Sequence, residues 1–283
     1  MNRLEQSPTD ERIGRAGIYL YALATVAAGV LDLIWGEFEA AHQPIGALGD
    51  HIPGQVIFAY ITAFCMIAGG AAILWRPTAR TGALATSVIY LAFGMFWLPR
   101  FYTAPHALGF RLPLLFGVSA GMFTQLVVVA GGLILYASLA PGDLSVQRKS
   151  SQIGRWVIGL GAILFGLTHL TSVQFVAQMV PPWMPLGGAF SVVISGIAFL
   201  LAGLAILSGI LNVLAARLLG LMLLVFEVLV LIPNLIASPH NHISWGSNAY
   251  NLAAAGAIWI FAASIARHGE QGEPIAVGVG VPE

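Results

Sequence analysis

The sequence predicts an all-α integral membrane protein: eight transmembrane helices, built as two parallel four-helix bundle repeats, with both termini on the cytoplasmic side. Three observations lead there. Only 8% of the residues are charged and 58% are hydrophobic, against about a quarter charged in soluble domains, and the mean hydropathy is +0.86. Apolar stretches of the length that crosses a hydrocarbon core of about 30 Å recur eight times. The second four stretches also repeat the first four.

The spans are expected near residues 13–35, 54–75, 81–99, 113–138, 153–171, 187–209, 215–233 and 247–266. The polar segment MNRLEQSPTDER (1–12) precedes the first span. No small-residue cleavage signal follows it, so the first span is expected to be retained. Lys and Arg are held on the cytoplasmic side. With the N-terminus inside, ten basic residues fall on that face, and only Arg100 and Arg111 fall outside. A linker at 141–152 joins the repeats at 13–140 and 153–267, and the tail at 268–283 is expected to be disordered in the cytoplasm. The formal net charge is zero, which argues against nucleic-acid binding, since that needs a basic patch or stripe. The one cysteine, Cys65, rules out a disulfide relay within this chain. It is expected to be a small buried hydrophobe.

The repeat is written in matched strings. "LPRFYTAPH" at 98–106 and "IPNLIASPH" at 232–240 share Pro, five residues, then Pro-His. "IGR" at 13–15 recurs at 153–155, and Gly29, Phe38 and Pro44 match Gly166, Phe175 and Pro181 at one constant shift. "AGGAAIL" at 68–74 pairs with "AGLAIL" at 202–207, Ala79-Arg80 with Ala216-Arg217, and Gln125 with Asn251. Four spans are an even number, so both copies lie the same way up, related by an axis along the membrane normal. Pro99 and Pro233 are expected to end helices, and Pro105 and Pro239 to stiffen the loops that follow.

In the second half, "FGLTHLTSVQFVAQMVPPWMP" (165–185), "AGLAIL", Arg217 and "LIPNLI" (231–236) together resemble the DoxX-like family of small four-span membrane proteins. The ordered set comprises His169, Phe175, the loop Pro181-Pro182-Trp183-Met184-Pro185, and Pro233-Asn234. The first half is a degenerate copy: Asp32 stands for His169, Arg100 for Asn234, and the Pro-Pro-Trp is missing. The resemblance implies a multipass protein of the bacterial-type plasma membrane. Some members of the family are linked to quinone-dependent sulfur oxidation or to membrane redox assemblies, others to trafficking or assembly.

Ionisable groups inside a bilayer cost roughly 2.5–3.5 kcal/mol at its centre, so the few present are the first candidates for chemistry. They are Glu227, Asp32 and His169. Glu227 stands ten residues past Arg217, about 15 Å of helical rise, near the midplane. The three are expected to serve a proton relay; the competing reading is structural, with Asp32 and His169 hydrogen-bonded across the pseudo-axis. Trp183, Pro182 and Asn234 are the expected walls of a substrate site, and Arg100 and Arg111, against the charge rule, are expected to bind an anionic group. Six of the seven histidines are expected toward the outer face: His42, His51, His106, His169, His240 and His242. Of these, His240, His242 and His106 are candidate metal ligands; the alternative has them bonding loop carbonyls or lipid head groups. Gln125 and Asn251 are expected to bond between helices, and Trp75, Trp97, Trp183 and Trp245 to anchor at the interfaces.

The leading expectation is a redox or quinone-associated membrane subunit that draws electrons from a partner subunit. The chain carries no haem-attachment, Rossmann or iron–sulfur motif. The alternatives are a transporter or binding protein with a site between the repeats, and a non-catalytic scaffold or assembly factor.

Overall fold

The computed structural model describes residues 8–42, 54–140 and 142–270, with side chains as far as Arg267. The first seven residues, Pro44, His51, the side chain of His268 and the tail from 271 lie outside the described residues. Among the described residues every regular element is helical. Eight helices are long and apolar enough to cross a membrane, and the chain is a multipass membrane protein.

The first span is α1 (Pro8–Trp35) and the second α2 (Gln55–Leu74). The third is α3 (Ala79–Met95) with a short α4 (Arg100–Leu108), and the fourth is α5 (Leu112–Ser138). The fifth, α6 (Leu144–Thr171), is followed by the one-turn α7 (Val173–Ala177) and the sixth span, α8 (Gly187–Ser208). The seventh is built in three pieces: α9 (Asn212–Phe226), a π-helical turn (Glu227–Leu231) and α10 (Ile232–Ala237). The eighth is α11 (His242–Glu270).

Local chemistry sets the ends. α1 stops where Gly36 takes φ 66 and its N–H returns to the Asp32 carbonyl at 2.9 Å. At the start of α6 the Asp143 carboxylate accepts from the Val146 N–H at 3.1 Å, satisfying one of the helix's orphan donors. The Ser145 hydroxyl, with that N–H, holds the Asp143 carboxyl below its usual range.

Consecutive spans pack side by side, and α11 closes back onto α1, so the eight form a closed ring with α5 and α11 touching across its middle. α1 packs on α2 and α11 far more than on α5. The α1–α11 contact is close because small residues face each other: a Cβ on Gly256 would fall 2.5 Å from the Tyr21 nitrogen and 2.7 Å from the Gly17 carbonyl. Without a hydrophobic drive between helices in lipid, such close backbone approach is what holds a membrane bundle. α11 is the most buried span, 83% of its apolar window being covered, whereas the seventh span is 17% covered. Large apolar side chains such as Ile57, Phe64, Leu201 and Ile236 point outward, as lipid-facing positions require.

Three expectations are corrected. Neither Pro99 nor Pro233 ends a span: Pro99 caps α4, which contains Pro105, and Pro233 lies in the first turn of α10. Because the helix runs on from α9, Pro233 lacks the N–H that would reach the Leu229 carbonyl, and in a regular α-helix its ring would crowd that carbonyl. The wider π turn accommodates this, with the Ile232 N–H donating to the Glu227 carbonyl five residues back. The stretch after Pro99 is therefore helix rather than loop. Finally, Cys65 is exposed on the outer face of α2 instead of buried.

Candidate functional site

A cavity of about 360 Å³ lies within the second half, among α6, α8, α9, the π turn and α11, with Val127 and Thr124 of α5 behind it. Its walls are apolar, including Phe165, Phe199, Leu223 and Phe226. Its polar lining residues are His169, Tyr250, Asn251 and three that bear aliphatic hydroxyls. Those hydroxyls belong to Thr124, Ser191 and Ser195, each donating to a carbonyl of its own helix, Ala120, Gly187 and Val192 respectively.

Glu227 opens the π turn and is 5% exposed. It stands behind the cavity wall: Asn251, which lines the cavity, donates one amide N–H to the Glu227 carboxylate at 2.7 Å and another to the Leu223 carbonyl at 2.9 Å. With both N–H groups engaged, the amide oxygen is left as the free acceptor of Asn251. His169 is half-buried, and its Nδ1 lies 2.8 Å from the Phe165 carbonyl. A carbonyl only accepts, so that nitrogen carries the hydrogen and Nε2 of the neutral ring is an acceptor. The ring leans on Phe199 at 5.3 Å. Asn251 and His169, both lining the cavity, thus each keep an acceptor.

The outer loop closes over this space. Met179, Val180 and Met184 line the cavity, and Asn234 on α10 donates to the Met179 carbonyl at 2.8 Å. Pro182 and Trp183, in the same loop, are exposed, Trp183 by 58%. The expected substrate residues therefore divide: Asn234 pins the loop, while Pro182 and Trp183 face outward from it. Arg100 is buried, donates to the Ala40 carbonyl at 3.2 Å and lies over the Trp97 ring at 4.0 Å. Arg111 is exposed just before α5.

A second constellation lies at the end of α1. Asp32, fully buried, accepts the Glu39 N–H at 3.0 Å, and two imidazoles flank its carboxylate: His242 at 3.6 Å and His42 at 3.9 Å. Asp32 and His169, expected to meet, are not hydrogen-bonded or paired; each has the separate partners just given. His42 is 1% exposed and stacks on Phe93 at 4.1 Å, and His242 stacks on Trp35 at 4.8 Å. His242 also bridges outward, its Nδ1 lying 3.3 Å from the half-exposed Glu37 carboxylate. Glu39 folds inward, and its carboxylate accepts the Ala41 N–H at 2.7 Å. Burial pushes the Glu39 carboxyl above the usual carboxylate range, against the opposing pull of the His42 imidazole and the Ala41 N–H. Gly246 makes the room: a Cβ there would sit 2.0 Å from Glu39 Cγ.

Sequence reasoning passed over Glu39 as a site and read His42 only as one of the outer histidines. The signal was present in "GEFEAAH" (36–42), two carboxylates and an imidazole directly after a helix end in a chain with few charges. The candidate metal ligands are dispersed. His242 faces Asp32, His240 is exposed, and His106 is exposed with its Nδ1 on the Tyr102 carbonyl at 2.9 Å. Among the described residues no group of three or more His, Cys, Asp or Glu is placed to hold a metal ion. Asn251 bonds between helices as expected, whereas the buried Gln125 side chain has no hydrogen-bond partner among the described residues.

Fold and site define a helical membrane protein with a ligand-sized cavity in the second half and a buried acid–imidazole cluster where the end of α1 meets α11. No family model, no curated protein and no solved structure matches the chain.

Proposed function

We propose that this is a DoxX-like subunit of the bacterial inner membrane that holds a quinone-like molecule, in its quinol form, in the second-half cavity and passes its electrons to a partner subunit. The cavity carries the reading. Its volume falls within the range of small-molecule sites, and its apolar walls with a few polar groups fit their usual character. His169 and Asn251 offer acceptors, which suit a ligand that donates hydroxyl hydrogens. Oxidation of a quinol releases two electrons and two protons. The electrons leave to the partner, the His169 Nε2 takes one proton, and Glu227 acts as a positioning residue by fixing the Asn251 amide. The second proton leaves to solvent.

A parallel duplication, N-terminus and C-terminus inside, supports a single ligand site. The contact of Gly70 with the Ala22 carbonyl is matched by Gly203 with the Gly159 carbonyl, each 2.7 Å from an added Cβ. Gly29 against the Ala63 carbonyl is likewise matched by Gly166 against that of Gly196. At the shift that takes Gly29 to Gly166, Asp32 corresponds to His169 and His42 to Met179, and at the separate shift of the two Pro-x5-Pro-His strings Phe93 corresponds to Glu227. On this reading the stacked His42–Phe93 pair plugs in the first half the space that is a cavity in the second. α11 serves both: His242 and Gly246 meet the cluster, and Tyr250 and Asn251 line the cavity. The cluster then offers protons a route between the outer surface, at Glu37, and the bundle interior.

The test is extraction of protein purified in mild detergent, with quinone quantified by mass spectrometry. About one quinone per chain is expected. A preparation that remains empty after incubation with excess quinol overturns the reading.

A further inference from the structure

We infer that the pocket at the arginine-rich end of the first half binds a phosphate-bearing anion, with an anionic phospholipid head group as its source. The pocket, about 450 Å³, lies among the start of α1, the end of α2, the start of α3 and the ends of α5 and α11. Three guanidinium groups line it, those of Arg15, Arg76 and Arg267, with the carboxylates of Asp10 and Glu11. The carboxylates are already engaged: Asp10 pairs with Arg217, and Glu11 with Arg15 one turn along α1. Among the described residues neither Arg76 nor Arg267 has a hydrogen-bond or ion-pair partner. Arg267 is partly buried, and a guanidinium withdrawn from water favours a counter-charge.

The second half shows how such a place is filled from within. Arg155, the repeat counterpart of Arg15, donates Nε to the Ile206 carbonyl at 3.0 Å and NH2 to that of Leu207, closing the end of α8. The counterparts of those residues, Ile73 and Leu74, line the pocket instead, because Arg15 turns to Glu11. Phosphate suits the space, since guanidinium groups meet it through paired N–H donors. A lipid suits it better than a soluble anion, because Tyr19, Leu74 and Leu139 continue the wall as apolar surface. Basic pockets between transmembrane helices are a recurrent form of head-group site. This inference is independent of the quinol reading.

The test uses the full chain purified in detergent and follows thermal unfolding during titration with phosphatidylglycerol, phosphatidylcholine or inorganic phosphate. Phosphatidylglycerol is expected to raise the midpoint saturably, with phosphatidylcholine without effect. Arg76→Gln and Arg267→Gln are each expected to raise the half-saturating concentration about five-fold. Arg76 is exposed, so its variant keeps the test open where Arg267→Gln fails to fold. A response to phosphate alone that Arg76→Gln weakens makes the anion soluble; a response confined to the lipid makes it a head group. Equal responses to the two lipids with none to phosphate, or titrations unmoved by Arg76→Gln, overturn the inference.

Discussion

Asn251 on α11 reaches across to Glu227 at the start of the π turn, 2.7 Å from amide nitrogen to carboxylate oxygen. The carboxylate and the Leu223 carbonyl consume both N–H groups of one side chain. The orientation of Asn251 in the cavity wall is thereby fixed by a residue outside the cavity.

That geometry ranks two variants. Glu227→Gln keeps an oxygen to accept from Asn251, so its unfolding midpoint in detergent should stay close to the parent's. Asn251→Leu leaves a buried carboxylate and a backbone carbonyl without their donor, at a cost of about 1–3 kcal/mol. The reverse ranking in thermal unfolding contradicts the assignment.

Asp32 accepts a backbone N–H and is flanked by two imidazoles, at 3.6 and 3.9 Å. Asp32→Asn preserves an acceptor for the Glu39 N–H and loses only the charge. Asp32→Ala loses both and should be the less stable by about 1–3 kcal/mol, the cost of an unsatisfied buried donor. Equal midpoints for the two would show that the Glu39 contact contributes nothing.

Glu39 gives a pH dependence of known sign. Its carboxyl titrates higher in the folded chain than in the unfolded one because burial disfavours the charge. Its contribution is therefore fully present below the ordinary carboxylate range and is lost as pH rises through the raised folded value. Glu39→Gln removes that titration, so its stability relative to the parent should increase with rising pH over that window. A difference that is flat or of opposite slope, read from midpoints at stepped pH, contradicts the burial argument.

Gly246 is a packing prediction. A methyl group at this position would occupy the place of Glu39 Cγ, so Gly246→Ala should cost about 1–3 kcal/mol by overpacking. The double variant Gly246→Ala with Glu39→Ala should recover part of that loss. Strict additivity in a double-mutant cycle would separate the two residues.

How much of this was legible in the sequence follows from what each feature depends on. Eight spans were visible because an apolar run of sufficient length has one physical outcome in a bilayer. Glu227 stood out because a carboxylate in the middle of such a run is rare, and its partner Asn251 was visible as a polar residue in another span. The pairing itself was not visible, since the π turn that presents Glu227 depends on how Pro233 is accommodated. The Asp32 cluster was hidden for a different reason. It needs the chain beyond α1 to fold back, bringing Glu39 and His42 against Asp32, and then His242 to arrive from 210 positions later. Local patterning carries no record of that return. Cys65 was misread because an apolar span looks alike on its lipid face and its packed face.

The central claim is that the second-half cavity holds a quinol. Ala254 lines it and is 8% exposed, so Ala254→Leu adds its extra carbons to the cavity itself. The most direct measurement is a binding titration of a short-chain quinol against the purified chain and this variant, with thermal unfolding confirming that both are folded. Saturation at one quinol per chain, weakened at least about ten-fold in the variant, a loss of about 1.4 kcal/mol, is the predicted result. Equal affinity of the two folded proteins would contradict it.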